Sequence, residues 1–298
     1  MLPFLRGIKA NHRKNMADKS PLLLIFAHPD DESFTCGGSM ARYAAAGHPV
    51  HLVCATRGEV GEISDPALAT PATLGQVREQ ELRAACRIVG ALEPTFLDYR
   101  DSGMMGTPQN KDARAFYNSP VNTVVERLTG MIRRIRPGAV ITFDELGGYG
   151  HPDHITIHQR ATAAFYAAMR KDSFPHLLEQ GLQPWTGGRL YYATIPPRQW
   201  SKLLEVAKSA GLEIPAFLTE ATKSAIPDET VRTEIDVAAY LEQKQRAILA
   251  HQTQITPNNP FTKLPEPLMR QFQGTEFFQL AYPAYRGAAV ETDLLGSA

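Results

Sequence analysis

The sequence predicts an α/β fold: a mostly parallel sheet with helices on both faces, plus an irregular C-terminal subdomain. Three observations predict it. Five short apolar runs of strand length punctuate the first two-thirds of the chain. Several are continuously apolar rather than alternating, as in strands buried on both faces by helices. Between them lie helix-length stretches whose apolar residues recur at spacings of three and four.

In order, the first run is Leu22–Ala27, which leads straight into His28-Pro29-Asp30-Asp31-Glu32. An Ala-rich helix is expected over Ser39–Ala46, closed by Gly47. The second run is Val50–Thr56. A helix over Gln76–Val89 then places Val77, Leu82, Ala85, Cys86 and Val89 on one stripe, ending at Gly90. After a short run at Thr95–Asp98, Val121–Ile135 carries Val124, Val125, Leu128, Met131, Ile132 and Ile135 on one face and stops before Pro137. Ala139–Phe143 is the fourth run, a glycine-rich turn follows it, and His154–Met169 reads as the next helix. Arg189–Ile195 is the fifth run. Strand and helix alternating at this spacing give a Rossmann-like arrangement.

The last third is broken by Pro184, Pro196, Pro197, Pro215 and Pro227. Ile235–Ala250 reads as one helix, framed by Val237, Tyr240, Leu241, Lys244, Ile248 and Leu249. The Pro- and Asn-rich stretch Pro257–Pro267 reads as a loop. With no linker cutting the chain, one domain is expected over 20–290: a core at 20–195 and a pocket-shaping part at 196–290. A flexible extension (1–19) and a frayed tail (Glu291–Ala298) flank it.

Composition narrows the function. The chain has 298 residues, 31 basic and 31 acidic, so its formal net charge is zero. A protein that coats nucleic acid needs a surplus of Lys and Arg to neutralise phosphate. A polybasic membrane-surface protein needs the same surplus. No apolar run approaches the ~20 residues needed to span a bilayer, and residues 1–19 do not read as a secretory signal. A cytoplasmic location is expected. Cys36, Cys54 and Cys86 form no CxxC pair and read as buried thiols. No GxGxxG follows the first strand, and no GxxxxGK[ST] or GxSxG occurs.

The chemistry concentrates at two strand ends. In open parallel sheets the ligand crevice lies beyond the carboxyl ends of the strands. His28 and Asp31 sit there after the first run, close enough in a Pro-containing turn for both side chains to converge. Imidazole nitrogen and carboxylate oxygen are ordinary zinc ligands, but two do not complete a site. After the fourth run comes Asp144-Glu-Leu-Gly-Gly-Tyr-Gly-His-Pro-Asp-His154, with two histidines, an aspartate and Tyr149 among three glycines. His-Pro-Asp occurs twice, at 28–30 and 151–153. One such tripeptide after a strand reads as a turn with a capping aspartate. Two, each with a further ligand-type residue, read as one metal site.

The motifs AHPDDE and GGYGHPDH together resemble the PIG-L/LmbE-like zinc-dependent de-N-acetylases, nearest to the branch that acts in mycothiol assembly. The likeness runs from about Leu22 to Met169 and more weakly to Ile255. It implies that His28, Asp31 and His154 hold Zn2+, with ferrous iron as an alternative in the cell. It implies Asp30 as general base, His151 as a group assisting the transition state, Asp153 as the carboxylate orienting it, and Tyr149 as a mobile carbonyl-polarising group. Arg78 and Asp101 fall where the family binds the sugar. Glu59, Glu62 and His251 read equally as pocket or structural residues.

The function so implied is hydrolysis of the N-acetyl group of a GlcNAc-containing small molecule, releasing acetate and a free amino sugar. Whether Asp30 or His151 protonates the leaving amine stays open. One alternative is a zinc amidase acting on a larger conjugate, disfavoured because Thr35 stands where that branch has lysine. Another is a non-catalytic α/β ligand-binding protein. The expected partner is a small N-acetylated amino sugar or glycoside, with no nucleic acid and no membrane insertion. A homo-oligomer is compatible with the sequence.

Overall fold

A computed structural model of the chain describes residues 19–209, 226–255, 266–284, 287 and 289–296. Residues 1–18, the break at Pro215 and most of the Pro257–Pro267 loop lie outside them. The elements are β1 (Leu22–Phe26), α1 (Asp31–Ala45), β2 (Val50–Cys54), α2 (Leu74–Val89) and β3 (Thr95–Phe96). Next come α3 (Val121–Ile135), β4 (Ala139–Phe143), α4 (Pro152–Met169), β5 (Arg189–Thr194) and α5 (Pro197–Ser209). The chain ends through β6 (Thr233–Asp236), α6 (Leu241–Ala250), α7 (Glu266–Gln273) and β7 (Thr275–Tyr282).

One sheet runs in the order β3-β2-β1-β4-β5-β7-β6. The first five strands are parallel; β7 is antiparallel to both β5 and β6. Every residue of β1 and β4 is buried, as their continuous apolar runs require. The chain moves outward from β1 to β3 and then returns to β4. Right-handed crossovers therefore put α1 and α2 on one face and α3 and α4 on the other. Helix α6 packs on α1 and α2, and α3 packs on α4. The direction reverses between β1 and β4, the switch point where such sheets open a crevice. Both His-Pro-Asp turns border it.

Four expectations change. Helix α1 starts at Asp31, well before Ser39, so the last two residues of AHPDDE form its first turn. The stretch Ile235–Ala250 is not one helix. Thr233, Ile235 and Val237 are buried and alternate with Glu234 and Asp236, so this segment is an edge strand, and α6 begins only at Leu241. The C-terminal part is more regular than its prolines suggest, because β6 and β7 extend the sheet and Pro267 sits in the first turn of α7. The tail over Glu291–Leu295 is docked rather than frayed. Glu291 pairs with Arg189 at 2.6 Å and bridges Thr233, and Leu294 is fully buried. All three cysteines are buried free thiols. Among the described residues, no helix is long and apolar enough to cross a membrane.

Candidate active site

The turn after β1 fixes the first ligand-type groups. Asp31 Oδ2 accepts the backbone N–H groups of Ala27 and His28 at 3.1 and 2.8 Å, which aims its carboxylate back at the strand end. The turn after β4 supplies the rest. Asp144 Oδ1 accepts the N–H groups of Leu146 and Gly148 and shapes the glycine turn. Gly147 has φ +62°, and a Cβ there would lie 2.7 Å from the Cβ of His154, so only glycine fits. Its carbonyl lies 3.1 Å from His154 Nδ1. Phe143, the last residue of β4, stacks flat on the His154 ring at 4.0 Å.

Hydrogen bonding decides which nitrogens carry protons. His154 Nδ1 faces a carbonyl and must donate, which leaves a lone pair on Nε2. His28 Nε2 faces the carboxylates of Asp153 at 3.2 Å and Asp101 at 3.5 Å and must also donate, so in the neutral imidazole the lone pair lies on Nδ1. Those two lone-pair nitrogens stand 3.1 Å apart. Asp31 Oδ1 lies 3.2 Å from His154 Nε2, and its Oδ2 lies 3.8 Å from His28 Nδ1. A shared proton holds two such nitrogens together, and a cation could hold all three groups.

The spacing fits one. A tetrahedral ion with bonds of about 2.0 Å has ligand–ligand edges of about 3.3 Å. The outer partners, a carboxylate on His28 and a carbonyl on His154, are those that orient metal-bound imidazoles. His28, His151 and His154 also bring three nitrogens within 4.8 Å, as His28, Asp101 and Asp153 do three ligand atoms. In these two groups His151 Nδ1 is already taken by a backbone N–H, and His28 Nε2 by its carboxylates.

Charge follows the same logic. Burial works against a proton on His28, but Asp101, Asp153 and Asp31 outweigh it and raise its pKa well above the ordinary value. Burial would raise Asp31, yet His154 and His28 hold it well below the usual carboxylate range. Asp30 goes the other way. Burial, with Asp31 and Glu32 nearby, pushes it up to about 6 against the pull of Arg78. Burial and the neighbouring His28 and His154 pull His151 down.

The structure brings nearly all the expected residues together but reassigns several contacts. The resemblance implies that Asp153 orients His151. Its carboxylate instead meets His28 and Ser102, and it is the Asp153 backbone N–H that reaches His151 Nδ1, at 3.1 Å. Arg78 is 4% exposed. Its guanidinium is held by the carbonyls of Pro29 (2.6 Å) and Gly58 (3.0 Å) and by Asp30 Oδ2 (3.2 Å). Asp101 is buried, accepts the Gly103 N–H, and receives the Glu59 carboxylate on its own N–H. Tyr149 is 39% exposed and stands edge-on to His154 at 5.0 Å. Glu62 is exposed, and His251 lies buried against Glu32. Sequence reasoning passes over Ser102 and Phe143. Ser102, beside Asp101 after β3, sits at a strand end and was open to the same argument; Phe143 was counted only as strand core.

Known proteins share this chain's family and fold. The PIG-L family model, described as GlcNAc-PI de-N-acetylase, matches residues 23–165. A 1D-myo-inositol 2-acetamido-2-deoxy-alpha-D-glucopyranoside deacetylase of Geodermatophilus obscurus is 39% identical over 277 residues, 89% of this chain and 93% of that protein. Among solved structures, the N,N'-diacetylchitobiose deacetylase of Pyrococcus horikoshii superposes with a TM-score of 0.64 at 20% identity, covering 97% of each chain. The 4-carboxy-2-hydroxymuconate hydratase GalB of Pseudomonas putida superposes with a TM-score of 0.61 at 20% identity, over 90% of this chain and 99% of that one. A deacetylase and a hydratase thus share the fold, and the fold alone does not select the reaction.

Proposed function

The chain belongs to the PIG-L family of GlcNAc-PI de-N-acetylases, and from that premise we propose that it is a zinc-dependent hydrolase of N-acetylglucosaminyl inositol, releasing acetate and the free amino sugar. One observation carries the metal: His28 Nδ1, His154 Nε2 and the Asp31 carboxylate converge at the β1/β4 crevice. Two imidazoles and one carboxylate suit a catalytic zinc with an open position. The donor set also accepts ferrous iron. An ion held there would supply Lewis-acid polarisation of the acetamide oxygen and a lowered pKa for the attacking water.

The chain's own residues do the rest. Arg78 Nη2 hydrogen-bonds Asp30 Oδ2, which leaves Oδ1 to take the water's proton. His151 Nδ1 accepts a backbone N–H, so its proton sits on Nε2 and is offered as a hydrogen bond to the developing oxyanion. Tyr149, at the exposed rim, closes over the same oxygen. Because His151 serves best as a neutral donor, Asp30 is the group that returns the proton to the leaving amine. Asp101 fixes His28 from one side and offers the sugar its second oxygen.

The test is to purify the protein, measure bound metal, and assay acetate release from N-acetylglucosaminyl inositol and simpler N-acetylglucosamine glycosides with and without a chelator. Near-stoichiometric zinc or iron and chelator-sensitive acetate release are expected. A folded protein that binds no divalent metal, or one whose acetate release survives the chelator, would overturn the proposal.

A further inference from the structure

Asp30 is in a costly conformation. Its φ is +118° with ψ −31°, a region that non-glycine residues rarely adopt. It is the N-cap residue of α1: its carbonyl accepts the N–H groups of Ser33 and Phe34. Aspartate at this position ordinarily turns its side chain onto the first free N–H groups of the helix. Here it makes no such bond, and the carboxylate points instead to Arg78. The relaxed alternative, with extended backbone and a self-capping Asp30, is therefore close in sequence terms and would withdraw the carboxylate from the crevice.

A second network opposes that relaxation. Glu32, two residues on, accepts the Asp30 N–H on its Oε2 at 3.1 Å, a bond back to the N-cap peptide like the one a capping box makes from the next position. Glu32 Oε1 in turn accepts Ser33 Oγ–H and His251 Nε2–H, the latter at 3.0 Å. His251 sits at the C-terminal end of α6, is fully buried, and its Nδ1 has no partner among the described residues. Its one polar engagement is thus through Nε2, toward Glu32 and the adjoining Ser33. A buried carboxylate and a buried imidazole, brought together from opposite ends of the chain, meet on the peptide of one strained residue.

We propose that Glu32 and His251 are positioning residues for deacetylation, holding the Asp30 peptide in its left-handed conformation so that its carboxylate serves the crevice rather than its own helix. This rests on the deacetylase reading above. Neither residue need touch substrate or metal. Loosening the brace lets Asp30 relax, which lowers turnover while the sugar contacts and the ligands His28, Asp31 and His154 stay in place.

Full-length protein and its His251→Leu, His251→Gln and Ser33→Ala variants, loaded with zinc, are assayed for acetate release from N-acetylglucosaminyl inositol, with zinc content and unfolding temperature measured alongside. His251→Leu is expected to lower kcat about 10- to 100-fold, as misplacement of a catalytic group does, with KM and zinc content within about twofold of wild type. His251→Gln keeps an N–H donor toward Glu32 and recovers most of the loss, which a simple packing defect would not. Ser33→Ala removes one donor and gives a smaller drop in kcat at unchanged KM; it carries the test if His251→Leu does not fold. An active wild type with kcat unaffected in His251→Leu, or in Ser33→Ala where that variant stands in, overturns the brace alone. So does a loss in which KM or zinc changes with kcat and glutamine restores nothing. A wild type that binds zinc but releases no acetate overturns the deacetylase reading, and the brace falls with it.

Discussion

Asp30 answers to two sets of forces. Its backbone begins α1, while its carboxyl is pushed up to about 6 by burial and held by Arg78. Replacing it by alanine removes the proposed base and leaves His28, Asp31 and His154 untouched. Asp30→Ala is expected to cut kcat about 10²- to 10⁴-fold, the usual range for a general acid–base group, with metal content by elemental analysis unchanged. A variant that loses its metal as well would make Asp30 a ligand. At this scale the residue types were legible in the sequence, because AHPDDE and GGYGHPDH lie at strand ends. The partnerships were not. Nothing in the spacing says that Asp153 faces His28 rather than His151, or that two backbone carbonyls capture Arg78. Those follow from side-chain directions across loops that meet only after folding.

The elements were legible where one periodicity dominates. Val121–Ile135 and Ala139–Phe143 match α3 and β4 to the residue, because an apolar stripe and a continuous apolar run each admit one reading. Ile235–Ala250 failed because the alternation of Thr233, Ile235 and Val237 runs directly into a helical pattern. That junction is fastened by a buried ion pair. Glu276 of β7 accepts Lys244 Nζ of α6 at 2.7 Å and the N–H groups of Gly38 and Ser39 in α1, each at 2.8 Å. Gly38 is needed there, since a Cβ would lie 2.6 Å from Val237. Glu276→Ala strands a buried ammonium. It is expected to cost about 3–5 kcal/mol in urea unfolding, and Lys244→Met in the same chain should recover part of it. A cost below about 1 kcal/mol, the range of a surface pair, would mean that water reaches Lys244.

At the scale of the whole molecule, the tail closes the sheet. Glu291 holds Arg189 of β5 and bridges β6, while Asp293 and Leu294 meet the Tyr43 hydroxyl of α1 at 2.7 Å. This covers an edge strand that would otherwise offer unpaired backbone groups. Removing residues 291–298 is expected to cost roughly 2–3 kcal/mol, from one buried leucine and the lost polar contacts, and to promote self-association; an unshifted urea midpoint would show the tail to be passive. The sequence by itself determined the alternation of buried strands and amphipathic helices, the absence of a phosphate-binding loop, and the ligand types at two strand ends. Each is encoded by residues near one another in the chain. Only the tertiary structure decided which nitrogens of His28 and His154 face each other, what captures Arg78, how β7 and β6 extend the sheet, and that His251 reaches Glu32 across 219 positions. The physical reason is that such contacts are selected by burial and hydrogen-bond satisfaction once distant segments share a core, and no local pattern carries that information.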